Sequence, residues 1–125
     1  RWYGFDDGIY AAARLLEVLA SVDDPQEIFE RLPRMENTPE IRLNCPDEIK
    51  FAVVDRFKDY ARGHYQNCID IDGVRFEDRD AWGLVRPSNT QPVIVLRFEA
   101  ADAGRLASIQ SDTMATLDEI MQAMR

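Results

Sequence analysis

The side chains best suited to chemistry lie in one segment, residues 86–92 (RPSNTQP), between two apolar runs. Arg86 offers a planar fork of N–H donors, and Ser88 and Thr90 offer hydroxyl groups. Asn89 adds an amide, and a turn at this point can present backbone N–H groups to an anion. This set of donors is typical of a loop that binds phosphate.

Composition limits what could carry that phosphate. The chain has 125 residues, 46% of them hydrophobic, which predicts one globular domain with an appended segment. A net charge of −8 disfavours a nucleic-acid partner, since an acidic surface repels a phosphate backbone, but a local cluster of donors still suits a small phosphorylated ligand. No apolar run approaches the ~20 residues of a membrane span, and no leader is evident, so we expect no membrane partner and a cytoplasmic location.

Other reactive residue types have simpler interpretations. Cys45 and Cys68 lie outside any C-x-x-C pair and are expected to be buried free thiols, and His64 has no clustered ligands around it. Five carboxylates flank a predicted Asp-Gly turn and are expected to form the solvated face of a hairpin: Asp70, Asp72, Glu77, Asp78 and Asp80. We therefore predict no metal site and no catalytic residue.

The N-terminal part reads as helical. Asp6 and Asp7 are candidate N-caps for a helix of about four turns, because apolar residues follow them at helical spacing. Those residues are Ile9, Ala12, Leu16 and Leu19. Pro25 begins a short second helix, and residues 32–39 lack periodicity and contain two prolines, which predicts a hinge.

The remainder predicts a compact α+β domain. A strand over residues 41–45 leads into a helix that Gly63 ends. A two-residue hairpin turn at Asp72-Gly73, with Ile69 and Ile71 alternating before it, gives two further strands. Residues 82–85 and the apolar run 93–98, which suits a central strand, flank the loop, and Asp102 caps a final helix. The order predicts an antiparallel sheet of four to five strands with helices packed on one face.

Two segments resemble the α-D-phosphohexomutases. Residues 5–17 (FDDGIYAAARLLE) are similar to the end of their third domain, and residues 73–100, with the R-x-S-N-T-x-P loop, to the core of their fourth. Within the family, they resemble the bacterial phosphomannomutase/phosphoglucomutase subgroup. The resemblance implies that residues 1–31 are the helical tail of the third domain, 32–39 a hinge, and 40–125 the C-terminal phosphate-binding domain.

This resemblance also implies a fold and a site. The fourth domain of the family has a fold like that of the TATA-binding protein, from which DNA binding does not follow. In the family, the loop of this domain binds the phosphate group of the sugar that is not taking part in the transfer. The resemblance therefore implies that Arg86, Ser88, Asn89 and Thr90 contact this phosphate. Pro87 would stiffen the turn, and Arg97 would brace the loop from the following strand.

Family members interconvert hexose 6-phosphate and hexose 1-phosphate through a phosphoserine and a bisphosphorylated sugar. The resemblance thus implies Mg²⁺ and a hexose 1,6-bisphosphate activator for a full-length enzyme, with mannose or glucose phosphates and domains one to three as partners. The T-A-S-H-N-P, D-G-D-G-D-R and G-E-M-S-G-H segments of the family do not occur here. We expect this chain alone to bind phosphate without catalysing transfer.

Two alternatives stay open at this point. One is the C-terminal domain of a phosphoglucosamine mutase, which shares the same architecture. The other is a non-enzymatic interaction module that associates with itself through the apolar stripe of the first helix.

Overall fold

The computed structural model describes residues 3–124 and divides into two units, Arg1–Arg34 and Met35–Arg125. The elements of the first unit are α1 (Gly8–Ala20) and α2 (Gln26–Glu30). Those of the second are β1 (Glu36–Asn37), β2 (Ile41–Asn44), α3 (Asp47–His64), β3 (Asn67–Ile69), β4 (Val74–Asp78), β5 (Ala81–Pro87), β6 (Val93–Ala100) and α4 (Ala103–Gln122). Among residues 3–124, no helix has the length and apolar character needed to cross a membrane.

Helix α1 confirms the predicted N-terminal helix. Asp7 is its N-cap, and the Asp7 carboxylate accepts a hydrogen bond of 2.9 Å from the Tyr10 N–H group. None of the helix residues is buried. Its apolar stripe is therefore exposed, with 85% of Ile9 and 66% of Leu16 accessible.

The second unit is built on a six-stranded antiparallel sheet in the order β1-β6-β5-β4-β3, with β2 also paired to β6. Strand β6 has partners on both sides, which confirms the prediction of a central strand. The sheet exceeds the predicted four to five strands because β1 pairs Glu36 with Ala100 at the end of β6. This short strand lies inside the segment 32–39 that the sequence predicts to be a hinge.

One face of the sheet carries the hydrophobic core. Alternate residues of β6, Ile94, Leu96 and Phe98, are at most 1% exposed and belong to one cluster with residues of α3 and α4. The helices pack on this face, with Phe57 from α3 and Leu117 from α4 fully buried. The α+β class, with helices on one face of an antiparallel sheet, is thus confirmed.

The β3–β4 hairpin differs from the prediction. Four residues, 70–73, connect the strands instead of the two-residue Asp72-Gly73 turn, and Gly73 has a φ of +72°. Ile69 and Ile71 are 52% and 93% exposed, whereas Cys68 pairs with Phe76 and packs against the core. The sequence predicted that Ile69 and Ile71 would face the core, and this was wrong. Strand β3 is a short edge strand, and Cys68 is the residue on its covered face.

Two smaller predictions have different outcomes. Gly63 lies inside α3, which ends one residue later at His64, so Gly63 is not the residue that ends the helix. Both cysteines are free, as predicted, but only Cys45 is buried, and this burial raises the pKa of its thiol.

Gly83 allows β5 to approach a core aromatic ring. A Cβ atom at this position would lie 2.3 Å from Cζ of Phe76, whose side chain is fully buried. We expect Gly83→Ala to lower the free energy of unfolding by about 1 to 3 kcal/mol, because the ring must move within a packed core. Urea denaturation monitored by circular dichroism measures the change.

Gly63→Ala is the matched control. A Cβ atom at Gly63 would meet nothing within 4 Å, and the residue is helical. This change should raise the free energy of unfolding by about 0.5 to 1 kcal/mol, since alanine loses less backbone entropy on folding. Equal stability of Gly83→Ala and the unsubstituted chain would contradict the packing described.

Candidate phosphate-binding site

Residues 88–92 connect β5 to β6 and form the candidate site. The Ser88 N–H group donates to the Val93 carbonyl over 3.0 Å, directly beyond the last strand pair, Pro87 with Ile94. The Val93 N–H group donates to the Gln91 carbonyl over 2.8 Å, which closes a three-residue γ-turn. The central residue of that turn is proline, whose restricted φ suits it. The loop is therefore hydrogen-bonded at both of its ends.

Ser88 organises the inside of the loop. Its Oγ accepts hydrogen bonds from the backbone N–H groups of Thr90, at 3.3 Å, and Gln91, at 3.2 Å. The lone pairs of Oγ are thereby used, so its single proton is free to donate to another acceptor. Because the N–H groups of residues 88, 90 and 91 are bonded within the protein, the side chains of the loop are its main donors to an anion.

Arg86 extends from the end of β5, on the sheet face opposite the helices. Its neighbour Val85 points into the core and is fully buried, so strand alternation directs Arg86 outward. The Arg86 side chain is 43% exposed, and Nη1 lies 3.0 Å from Oδ2 of Asp72. The guanidinium thus contacts the loop between β3 and β4 and remains accessible to solvent.

The other predicted residues fall into two groups. Pro87 is the last residue of β5, and Asn89 and Thr90 are exposed in the loop beside Ser88. Arg97 lies further along β6, where Nη2 is 3.7 Å from Oε2 of Glu40. Arg97 thus pairs with Glu40, the carboxylate that Arg42 also contacts.

Sequence reasoning missed Lys50, which holds the second half of the loop. Lys50 is 3% exposed, and its Nζ donates to the Gln91 carbonyl at 2.9 Å and to Oδ1 of Asp47 at 2.6 Å. The Cys45 N–H group donates to the neighbouring Pro92 carbonyl over 2.9 Å. Lys50 in the first turn of α3 and Cys45, two residues before the helix, thus fix the positions of the Gln91 and Pro92 carbonyl groups.

Arg42, from β2, is the second residue that the sequence did not identify. Its Nη1 donates to the side chain of Gln91 at 3.1 Å, and its Nε donates to Oε1 of Glu40 at 2.9 Å. Arg42 and Arg86 pair with the same residue of β6, Val95, from opposite sides. The two guanidinium groups therefore project from the same face of the sheet.

The pKa of Glu40 is lowered by the arginines near it. The hydrogen bond from Arg42 holds the pKa of the Glu40 carboxyl below its ordinary value. The charges of Arg42, Arg97 and Arg86 act in the same direction. A chain of net charge −8 thus places three arginines near one carboxylate, Glu40.

Nothing in the local sequence marked Arg42 or Lys50. They precede Gln91 by 49 and 41 residues. From the sequence alone, each would be predicted to be an exposed cation on a strand or a helix. Only the pairing of β2 with β6 brings them to the loop.

The residues present do not fit a metal ion. No group of three or more His, Cys, Asp or Glu side chains between residues 3 and 124 is arranged to hold one. The Mg²⁺ that the resemblance implies for a full-length enzyme therefore has no ligand set in this part of the chain.

The hydrogen bond from Lys50 to the Gln91 carbonyl can be removed by substitution. Lys50→Met keeps most of the apolar stem but leaves the Gln91 carbonyl with Val93 as its remaining donor. We expect the free energy of unfolding to fall by about 1 to 3 kcal/mol. Hydrogen exchange at the Val93 amide should also become faster, as measured by NMR.

Lys58→Met serves as the control on the same helix. Lys58 pairs with Asp55 at 3.0 Å, away from the loop, and its side chain is 23% exposed. Its loss should change the free energy of unfolding by less than about 0.5 kcal/mol. The same Val93 exchange rate in both variants would argue against a role for Lys50 in holding the loop.

Known proteins are similar to this chain in sequence and in fold. Residues 40–116 match the family model for the C-terminal domain of phosphoglucomutase/phosphomannomutase. A phosphomannomutase/phosphoglucomutase from Pseudomonas putida is 49% identical over 111 residues, which cover 88% of this chain and 24% of the relative. A phosphoglucomutase from Neisseria meningitidis serogroup A is 41% identical over 122 residues, covering 94% of this chain and 26% of the relative.

A solved structure is similar to this chain in fold and in sequence. An X-ray crystal structure of a phosphoglucomutase/phosphomannomutase family protein from Burkholderia thailandensis matches with a TM-score of 0.72 and 42% identity, covering 95% of this chain and 25% of that one. The chain spans about a quarter of the length of these relatives. It belongs to the phosphoglucomutase/phosphomannomutase family and contains the C-terminal domain of that family.

Proposed function

We propose that this chain supplies the phosphate-binding loop of a phosphohexomutase. Arg86, Ser88, Asn89 and Thr90 would bind the phosphate of a mannose or glucose phosphate. The observation that carries the proposal is the accessible Arg86 guanidinium at the base of a loop whose Ser88 hydroxyl is fixed by backbone N–H groups. An arginine fork and a neighbouring hydroxyl offer donors that match the oxygens of one phosphate.

The charge and rigidity of the site support this role. Arg42 and Arg97 add positive charge beside Arg86, which favours an anion in this one region. The hydrogen bonds from Lys50 and Cys45 hold the loop before any ligand arrives. Less conformational entropy is then lost on binding than a mobile loop would lose.

The names of the relatives support a mutase reaction for the full-length protein. We infer that the full-length protein interconverts hexose 6-phosphate and hexose 1-phosphate through a phosphoserine and a bisphosphorylated sugar. In that reaction the loop would bind the phosphate that is not reacting, and the binding energy would align the other end of the sugar. The nucleophile, the Mg²⁺ site and the contacts that select the sugar would lie in the other domains. The chain studied alone would bind phosphate without transferring it.

The first unit fits the same scheme. We infer that residues 1–31 are the helical tail of the preceding domain, with residues 32–39 as the connection. The exposed apolar residues of α1 support this assignment, since a helix of this kind is normally covered by its own domain. The same exposed face makes self-association the second candidate function for the separate chain.

An NMR titration tests the proposed phosphate site. Inorganic phosphate and, separately, glucose 1-phosphate are added to the ¹⁵N-labelled chain at constant ionic strength. We expect shift changes concentrated in residues 86–91 and a dissociation constant in the millimolar range, because a single phosphate clamp offers few charge-assisted bonds.

Three variants make the titration specific. Arg86→Ala should abolish the changes, and Arg86→Lys should weaken binding because an ammonium lacks the planar fork. Arg56→Ala, which removes an exposed arginine of α3, should leave the affinity unchanged. The proposal fails if residues 86–91 do not respond, or if Arg56→Ala reduces binding as much as Arg86→Ala.

A further inference from the structure

We propose that Asp72 is a built-in competitor for the phosphate at Arg86. The Asp72 carboxylate lies 3.0 Å from Nη1 of Arg86, which is the group assigned to the phosphate. The carboxylate would occupy the guanidinium when the site is empty and be displaced when phosphate binds. This inference deepens the proposed function and rests on it.

The backbone holds Asp72 in this place. The next residue, Gly73, has a φ of +72°. A Cβ atom on Gly73 would lie 2.3 Å from the Val85 carbonyl oxygen and 2.5 Å from Cβ of Arg86. Only glycine allows the β3–β4 loop to pass this close to β5. The position of Asp72 beside Arg86 therefore follows from the chain path, not from a chance meeting of two long side chains.

The pair is suited to exchange with a ligand. The side chains of Arg86 and Asp72 are 43% and 59% exposed, and ion pairs this accessible are weak because solvent and salt screen them. A phosphate dianion offers more charge and more acceptor oxygens to the same guanidinium than one carboxylate does. The phosphate should therefore displace the carboxylate.

A second ion pair lies in the same loop and does not involve Arg86. Asp70, two residues earlier in the same loop, pairs with Arg62 on α3, and this pairing lowers the pKa of the Asp70 carboxyl. Asp70 is thus paired elsewhere, while the strand pairing and Gly73 set the path of the β3–β4 loop. Displacement of Asp72 would need only a side-chain rotation.

Competition of this kind has two effects on the site. The carboxylate contacts the Arg86 guanidinium when the site is empty, and its negative charge weakens the binding of phosphate. The lower affinity favours rapid release of a phosphate group. Rapid release suits a site that must let go of one phosphate and bind another on the same sugar during a reaction.

Asp72→Asn and Asp70→Asn form a matched pair for the test. Each removes one negative charge from the same four-residue loop, but only Asp72 contacts Arg86. Inorganic phosphate is titrated into the whole chain at constant ionic strength and followed by NMR. We expect Asp72→Asn to bind phosphate about two- to fivefold more tightly, and Asp70→Asn to match the unsubstituted chain.

The unsubstituted chain gives an independent signal. The side-chain carboxyl carbon of Asp72 should shift on phosphate addition, whereas that of Asp70 should not. Asp72→Ala should tighten binding as Asp72→Asn does, so misfolding of one variant does not end the test.

Two results would overturn the inference while leaving the proposed function intact. In one, phosphate binds at residues 86–91 with the same or lower affinity after Asp72→Asn. In the other, Asp70→Asn tightens binding as much as Asp72→Asn, which would indicate a general charge effect. If phosphate binds neither the unsubstituted chain nor the Asp72 variants, the proposed function fails and the competitor role fails with it.

Discussion

The antiparallel pairing of β5 with β6 is the constraint on which the other features depend. The pairing runs without interruption from Ala81 with Ala100 to Pro87 with Ile94. A shift of one residue would exchange the two faces of a strand, bringing Arg86 into the core and exposing Val85. Burial of the apolar face therefore fixes the register. The register in turn places Arg86 on the open face, at the base of the loop.

The loop of residues 88–92 is held by hydrogen bonds from elements that are distant in sequence. Strand β2 and the start of α3 bring Arg42, Cys45 and Lys50 to its second half, while Ser88 binds the backbone of the first half. A loop on the surface of a domain is usually among its more mobile parts. Here, hydrogen bonds from two layers of the fold restrain it, which favours a site arranged before its ligand binds.

Carboxylates form ion pairs with the arginines on this face of the sheet. Glu40 pairs with Arg42 and Arg97, and Asp72 pairs with Arg86. These carboxylates orient the guanidinium groups and offset part of their charge. A site built in this way would bind phosphate less strongly than bare arginines, and it would release phosphate faster.

The sequence predicted those features that depend on neighbouring residues. The Asp7 and Asp102 caps, the central position of β6 and the loop between two strands all follow from local spacing. Features that depend on tertiary contacts were missed. Strand β1 has only two residues and forms by pairing with β6, and the exposure of Ile71 follows from a hairpin loop longer than an Asp-Gly signal indicates.

The central claim, that Arg86 and Ser88 bind phosphate, is tested most directly by a crystal structure of this chain grown with inorganic phosphate. The account expects a phosphate within hydrogen-bond distance of the Arg86 guanidinium and Ser88 Oγ, with the Asp72 carboxylate moved away. Phosphate bound only at other arginines, with the pairing of Arg86 and Asp72 intact, would contradict it.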